Sequence, residues 1–258
     1  MTILDTIADT ARARVERCKS EISAGEMKER ALALPKGGFE FEKALKKDDI
    51  AFICEVKKAS PSKGIIAEVF PYLDIAREYE AAGADCISVL TEPEYFKGSD
   101  SFLREIASEV SIPCIRKDFT VDEYMIYQAK LLGAKAVLLI CSILTPQEIE
   151  SYLGICDTLG LSAIVEAHDR DEVLTAVSAG ARIVGVNNRN LKDFSVDTGN
   201  TLKLRELVPN HIIFVSESGV KTAEDIRTLR KAGADAVLIG ETLMRAADKR
   251  EKLRELRS

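Results

Sequence analysis

Lysines and glutamates lie at the ends of short apolar segments at four places in this sequence, and both residue types can move protons or hold charged ligands. The residues concerned are Glu55, Lys57, Lys117, Glu166 and Glu217. A lysine ammonium donates protons or binds anions, whereas a glutamate carboxylate accepts protons or stabilises a cation. Alternate residues of an extended segment share one face, so Ile53, Glu55 and Lys57 are expected on one side of their segment. The pattern predicts acid–base chemistry at the ends of β-strands.

The apolar segments themselves have the length of buried parallel strands, and longer amphipathic segments separate them. There are eight: Ala51–Val56, Cys86–Leu90, Pro113–Lys117, Ala136–Ile140, Ala163–Glu166, Ile183–Val186, Ile212–Ser216 and Ala236–Ile239. Such alternation is typical of an α/β fold, either an open doubly wound sheet or a closed barrel. Even spacing and the lack of a Gly-x-Gly-x-x-Gly turn favour the barrel. We therefore predict a (β/α)8 TIM barrel.

Helical periodicity fills the gaps between these strands and also precedes the first one. The expected helices are Pro71–Ala82, Val121–Leu132, Pro146–Leu159, Asp171–Ala179, Thr222–Ala232 and Glu241–Leu256. Before the barrel, Ile3–Glu29 is expected to form an amphipathic helix that ends before the break at Leu34–Gly38. The sequence thus predicts one domain over residues 1–258, with residues 1–45 as a helical extension packed on the barrel.

Strand parity brings the charged residues together at the C-terminal mouth of this barrel. Alternate strands contribute side chains to one interior layer, so Lys57 or Glu55, Lys117, Glu166 and Glu217 are expected in one shell, with Asn187 beside them. A lone polar residue at a strand end is usually just the start of a loop. Four charges on alternate strands are different, because burying them is costly unless they pair or do chemistry. Arg116 and Asp118 have the opposite parity, which predicts a structural ion pair outside the barrel interior.

Several residues after the strands favour phosphate binding. Ser218 and Gly219 follow the seventh strand, Gly240 follows the eighth, and Arg189 follows the sixth. A single glycine there is more often only a tight turn, but barrels of this kind often bind phosphate between these loops. The segment Ala59–Gly64 opens a polar loop of roughly twelve residues that is suited to a mobile lid, although Lys63 also fits an ordinary surface loop.

Composition excludes several other classes of function. The net charge of −6 is spread along the chain, so no basic face predicts nucleic-acid binding. Ala136–Cys141 is the longest purely apolar stretch, too short to span a membrane. Six cysteines without a Cys-x-x-Cys pair and only two histidines argue against zinc or a disulfide framework, and a reducing cytoplasm is expected.

Five motifs resemble the indole-3-glycerol phosphate synthase family. They are Glu55–Gly64, Ile115–Phe119, Gly185–Leu191, Val215–Gly219 and Ala236–Gly240, and they occur in the order that the family has. The resemblance implies that 1-(2-carboxyphenylamino)-1-deoxyribulose 5-phosphate is converted to indole-3-glycerol phosphate with loss of carbon dioxide and water. It implies no metal or organic cofactor, and it makes other enzymes of tryptophan biosynthesis candidate partners.

The resemblance also implies roles for the strand-end residues. Lys117 would protonate the ketone oxygen during ring closure, and Glu166 would act as a general base or as an electrostatic partner of the cationic intermediate. Lys57 would hold the substrate carboxylate and supply a proton at dehydration. Glu55, Asn187 and Glu217 would orient these groups. Burial and Lys57 should lower the pKa of Lys117 while carboxylates raise it, so the net direction is left open.

Further residues would bind the two ends of the substrate. Ser60, Arg189, Ser218, Gly219 and Gly240 would bind phosphate or line its pocket, and Phe96 with Phe119 would pack the anthranilate ring. Two positions depart from the family pattern: Ala167 replaces a larger aliphatic residue, and Glu241 stands where some members have a small hydroxyl residue.

Alternatives of two classes remain, another kind of enzyme and a non-catalytic barrel. A Schiff-base aldolase would form a borohydride-trappable adduct on Lys117 or Lys57, while an isomerase would need a cysteine base, and Cys54 has the wrong parity. A non-catalytic barrel is the alternative outside enzymes, but every motif position is occupied.

Overall fold

Eight parallel strands close into a barrel in which the first strand pairs with both the second and the eighth. The structure is a computed structural model that describes residues 2–190 and 194–258. The strands are β1 Ala51–Val56, β2 Cys86–Leu90, β3 Cys114–Lys117, β4 Ala136–Ile140, β5 Ser162–Ala167, β6 Ile183–Asn187, β7 Ile213–Glu217 and β8 Ala236–Ile239. The predicted (β/α)8 barrel is confirmed. Leu191, which ends one of the five motifs, lies outside the described residues.

The strands end later than predicted at two functional positions. Asn187 and Glu217 were expected just after β6 and β7, but both belong to these strands and pair with each other in register. The ladder therefore fixes their backbones directly, so their side chains leave the barrel wall in defined directions.

Three helices precede the barrel: α1 Ile3–Glu21, α2 Ala24–Ala33 and α3 Glu40–Leu45. The prediction of one helix over Ile3–Glu29 is therefore wrong. The first helix ends at Glu21, and Ser23 starts a second one because its hydroxyl accepts a hydrogen bond from the Glu26 N–H at 3.3 Å. That second helix runs on to Ala33, where the predicted break begins.

The extension packs on the barrel through apolar and ionic contacts. Ile7, Ala11 and Val15 of α1 are buried in the same apolar cluster as the barrel strands. Arg14 reaches Asp118, just beyond β3, with Nη2 2.6 Å from Oδ1. These contacts support our proposal that residues 1–258 form one domain that includes the extension at residues 1–45.

Nine further α-helices surround the barrel or follow it in the described ranges. They are α4 Tyr72–Ala81, α5 Asp100–Glu109, α6 Glu123–Leu131, α7 Pro146–Leu159, α8 Arg170–Ser178, α9 Gly199–Arg205, α10 Ala223–Lys231, α11 Glu241–Met244 and α12 Lys249–Arg257. The single predicted helix Glu241–Leu256 is wrong, because the Asp248 side chain accepts from the Glu251 N–H at 2.8 Å and starts α12. No helix of the described chain is long and apolar enough to cross a membrane.

Arg116 and Asp118 form the expected ion pair, at 3.5 Å, on the outer side of β3. The Arg116 side chain is only 2% exposed and also bonds to Asp100, at 2.8 Å. The pair is therefore part of a buried network between the barrel wall and its surrounding helices.

Candidate active site

One cavity of about 780 Å³ opens at the C-terminal ends of the strands. It is lined by all of the residues that the sequence assigned to the site: Glu55, Lys57, Ser60, Phe96, Lys117, Phe119, Glu166, Asn187, Arg189, Glu217, Ser218, Gly219 and Gly240. Ile3, Leu4 and Ile7 of α1 line it as well, so the extension forms part of the wall. This volume is in the range of sites for small molecules.

Lys117 lies between two carboxylates at the centre of the cavity. Its Nζ atom is 2.9 Å from Glu166 Oε2 and 3.2 Å from Glu217 Oε2. The Asn187 amide donates to the other oxygen of Glu166 at 3.2 Å. Strand parity had predicted Lys57 or Glu55 in one shell with Lys117, Glu166 and Glu217, and Asn187 beside them; the structure brings the last four side chains together.

The carboxylates decide the protonation of the lysine. Burial alone would lower the pKa of Lys117, but Glu166 and Glu217 outweigh burial and raise that pKa above its usual value. The opposite holds for Glu166: burial would raise its pKa, but Lys117 and His168 hold it well below the usual range. The unliganded site therefore contains a lysine cation and a glutamate anion at neutral pH.

Glu217 differs from Glu166 although both carboxylates contact the same lysine. Burial, with the negative charge of Glu166, raises the pKa of Glu217 to about 7 even though Lys117 lowers it. Its Oε1 atom is buried without a hydrogen-bond partner among the described residues. Glu217 is thus the carboxyl group best suited to gain and lose a proton near neutral pH.

The second predicted lysine pairs within its own strand end. Lys57 Nζ contacts Glu55 Oε1, and both side chains are largely buried. Gly240 leaves room for this pair, because a β-carbon at that position would collide with the carboxylate of Glu55 and lie 2.8 Å from Lys57 Nζ. The charged residues therefore form two neighbouring groups, one around Lys117 and one at the end of β1.

The loops after β6, β7 and β8 surround one end of the cavity. Ser218 and Gly219 both have left-handed backbones, with φ of 66° and 94°. A β-carbon at Gly219 would lie 2.7 Å from Thr198 and 2.8 Å from Val196, so the tight turn requires glycine. The Arg189 guanidinium donates to the Phe194 carbonyl at 3.3 Å. This end offers backbone N–H groups and a guanidinium to an anion.

Glu241 adds a negative charge at the same end, and neighbouring cations balance it. Its Oε1 atom is 3.0 Å from Arg245 Nε and 3.9 Å from Lys63 Nζ. Lys63 lies beyond Ala59–Ser60, which pairs with Gly64–Ile65 as a short antiparallel hairpin. The segment expected to be a lid therefore has local structure, and its movement stays a prediction.

An aromatic pair lies in another part of the wall. The ring centroids of Phe96 and Phe119 are 6.1 Å apart, with the planes inclined by 41°. Sequence reasoning missed Glu92, whose Oε2 accepts from the backbone N–H groups of Tyr95 at 2.7 Å and Phe96 at 3.0 Å. Its buried carboxylate shapes the loop that carries Phe96.

His168 is the other residue that sequence reasoning missed, having counted it only among possible metal ligands. Its Nε2 atom is 3.4 Å from Glu166 Oε1, and Nδ1 is 3.0 Å from Glu172 Oε2. The available signal was parity, because a residue two positions after Glu166 points to the same side.

Comparison with known proteins gives one family over almost the whole chain. Residues 4–256 match the family model described as indole-3-glycerol phosphate synthase. A protein of that name from Ruminiclostridium cellulolyticum is 59% identical over 256 residues, which cover 99% of this chain and 98% of that protein. Another from Lachnoclostridium phytofermentans is 49% identical over 268 residues, covering 99% of each.

Solved structures at low sequence identity are similar in fold alone. A 3-hexulose-6-phosphate synthase matches with a TM-score of 0.64 at 18% identity, covering 81% of this chain and 98% of that one. A thiamine phosphate pyrophosphorylase from Pyrococcus furiosus matches with a TM-score of 0.58 at 20% identity, over 81% of this chain and 93% of that one.

Proposed function

The chain belongs to the indole-3-glycerol phosphate synthase family, and from that premise we propose that Lys117 and its carboxylates carry out the family's ring closure. The substrate is 1-(2-carboxyphenylamino)-1-deoxyribulose 5-phosphate, and the products are indole-3-glycerol phosphate, carbon dioxide and water. The observation that carries this proposal is the position of Lys117 between Glu166 and Glu217 in a cavity that has a cationic end and an aromatic wall.

The two ends of the cavity match the two ends of this substrate. Phosphate is assigned to the loops after β6–β8, where Arg189, Ser218, Gly219 and Gly240 are joined by Ser60 from the loop after β1. The aromatic ring is assigned to Phe96 and Phe119, whose faces offer apolar contact. Lys57 holds the substrate carboxylate, which displaces Glu55 as its partner.

Ring closure joins the aromatic carbon that bears the carboxylate to the ketone carbon of the sugar. Lys117 donates its proton to the ketone oxygen as that bond forms, giving an alcohol and a cation delocalised over the ring and nitrogen. Glu166, held as an anion, stabilises this cation. Loss of carbon dioxide returns the electron pair to the ring and neutralises it.

Dehydration completes the indole. A hydroxyl group leaves as water after it takes a proton, and a neighbouring carbon loses a proton to form the new double bond. Lys57 supplies the first proton, while Glu217, with its pKa raised to about 7, is suited to accept the second. Asn187 and Glu55 keep their neighbours Glu166 and Lys57 in position.

The test is turnover by purified protein without added metal, followed by indole fluorescence. We expect product from the wild type, with and without a chelator, because the proposed proton chemistry uses side chains alone. Lys117→Ala should lower kcat by at least about a thousandfold, since it removes the proton donor. Lys36→Ala, at an exposed lysine, is the matched control.

Absence of product at high enzyme concentration, or product that disappears with the chelator, would contradict the proposal. Borohydride inactivation in the presence of substrate would instead favour a Schiff-base aldolase. We further propose a cytoplasmic location, which the six free cysteines support, and other enzymes of tryptophan biosynthesis as partners.

A further inference from the structure

We propose that His168 is a positioning residue for this reaction, an imidazolium anchored by Glu172 that keeps Glu166 ionised and directed toward Lys117. The inference rests on the proposed function, because it assigns Glu166 to stabilising the cationic intermediate. His168 itself follows β5 and precedes α8, and it lies beside Glu166 rather than among the residues that line the cavity.

Contacts on both sides of its backbone hold His168 in place. The Glu172 Oε2 atom accepts from the backbone N–H of His168 at 2.7 Å and lies 3.0 Å from Nδ1 of the ring. Ser142 donates to the other oxygen of Glu172 at 2.6 Å, and Asn200 donates to the His168 carbonyl at 2.9 Å. The ring is therefore fixed with Nε2 on the side where Glu166 lies.

The contacts of the two ring nitrogens favour the charged form. Nε2 lies 3.4 Å from Glu166 Oε1, in an electrostatic contact that lacks hydrogen-bond alignment. The same nitrogen is buried and has no hydrogen-bond partner in the described part of the chain. A neutral imidazole would turn a lone pair toward one of the two carboxylates, whereas an imidazolium presents an N–H group to each.

Charges of alternating sign thus extend from Glu172, outside the cavity lining, to Lys117 and Glu217 within it. The order is Glu172, His168, Glu166, Lys117 and Glu217. Further neighbours of the Glu172–His168 pair are the Ser142 hydroxyl, the Cys141 thiol, which donates to the Glu172 carbonyl at 3.5 Å, and the Asp169 carboxylate, which accepts from the Glu172 N–H at 3.0 Å. Burial alone would lower the pKa of His168, yet Glu166 and Glu172 raise it to about 10, in agreement with the geometry.

Loss of this cation would affect the reaction through Glu166. Without His168, the pKa of Glu166 rises, and one of its oxygens loses an electrostatic contact. The carboxylate is then less firmly held opposite Lys117 and stabilises the cationic intermediate less well. Since the phosphate and ring contacts are elsewhere, kcat should fall more than KM changes.

The direct test is the protonation state of His168 in the unliganded protein, measured by NMR with ¹⁵N-labelled histidine. The chain has only two histidines, so His211→Gln leaves one imidazole signal to assign. We expect the His168 signal to show an imidazolium up to about pH 9, well above the usual histidine pKa of about 6.5. Glu166→Gln and Glu172→Gln should each move the titration to lower pH.

The kinetic test compares His168→Gln with the exposed control His211→Gln. His168→Gln should lower kcat about 10- to 100-fold with KM changed less than about threefold, and should move the acidic limb of the kcat–pH profile to higher pH. Glu172→Gln should cause a smaller shift in the same direction, which keeps the test informative if His168→Gln does not fold. His211→Gln should leave both constants and the profile unchanged.

The proposal would be overturned if the His168 ring lost its proton near pH ~6.5, or if Glu166→Gln left its titration unchanged. An unchanged kcat–pH profile in both His168→Gln and Glu172→Gln would overturn it as well. The NMR result does not depend on turnover. Wild-type protein without synthase activity would therefore refute the proposed function while leaving the charge state of His168 measured.

Discussion

Gly185 of β6 leaves the space that the carboxylate of Glu217 fills from β7. A β-carbon at Gly185 would collide with Glu217 Oε1 and lie 2.8 Å from an Ile164 methyl group. The two residues are therefore sterically complementary, and the backbone of β6 limits the positions that the Glu217 carboxylate of β7 can occupy.

Gly185→Ala is expected to displace Glu217 from Lys117 and to lower kcat about tenfold or more, because the proton-transfer geometry is lost. The added methyl group should also cost about 1–3 kcal/mol of stability through overpacking. Steady-state kinetics and urea unfolding measure the two effects. Gly154→Ala is the control, since Gly154 lies in α7 with open space around it; equal losses in both variants would argue against the shape relationship.

Glu217→Gln should remove a pH dependence of stability. The folded pKa of about 7 is above the usual value of 4.5, so the folded state binds the proton more tightly than the unfolded chain. The resulting stabilisation is present below the unfolded pKa and is lost as pH rises through the folded one, at up to about 1.4 kcal/mol per pH unit. Urea unfolding from pH ~5 to ~8 should show this decline in the wild type relative to the variant. Parallel curves would mean that Glu217 is ionised throughout.

Glu241→Gln tests the negative charge at the end assigned to phosphate. Removing the carboxylate releases Arg245 and Lys63, at 3.0 and 3.9 Å, from their anionic partner. We expect KM for the sugar phosphate to fall about two- to fivefold with kcat nearly unchanged, because the gain is in substrate binding. The advantage should shrink at high salt. A higher KM would indicate that Glu241 itself orders the loops around the phosphate.

Arg14→Met tests the attachment of α1. The Arg14 guanidinium is mostly buried and contacts Asp118, which is fully buried. Removing the guanidinium should therefore lower the free energy of unfolding by about 1–3 kcal/mol. Arg12→Met on the same helix breaks a pair whose side chains are 51% and 61% exposed, and should cost under about 0.5 kcal/mol. Urea unfolding of both variants provides the comparison. Equal effects would show that the contact with Asp118 adds little.

The central shell was predictable because period-two alternation and a parallel barrel leave few choices for Lys117, Glu166 and Glu217. Other features depended on distances or on local competition. The net direction of the shift in the pKa of Lys117 depends on the distances between its Nζ atom and the neighbouring carboxylates, and no sequence pattern gives those distances. Ser23 and Asp248 each cap a new helix within a segment that is amphipathic throughout. Because the hydrophobic periodicity continues across both positions, it does not reveal that one helix ends and another begins there.

His168 and Glu92 were missed for a related reason. Each acts on a residue that was identified, Glu166 in one case and Phe96 in the other, and neither belongs to the charged set at the strand ends. Strand parity offered a sequence signal for His168, but what each residue contributes follows only from the positions of its neighbours.

The glycines beneath the charged groups limit how this site could be redesigned. At Gly185 and Gly240 the backbone lies directly against these carboxylates, and any side chain there would displace Glu217 or Glu55. Room for a bulkier aromatic substrate can come only from the walls. Ile3 and Leu4 of α1 line the cavity yet remain half-exposed, so directed evolution toward larger rings should accumulate changes in the extension rather than in the strands.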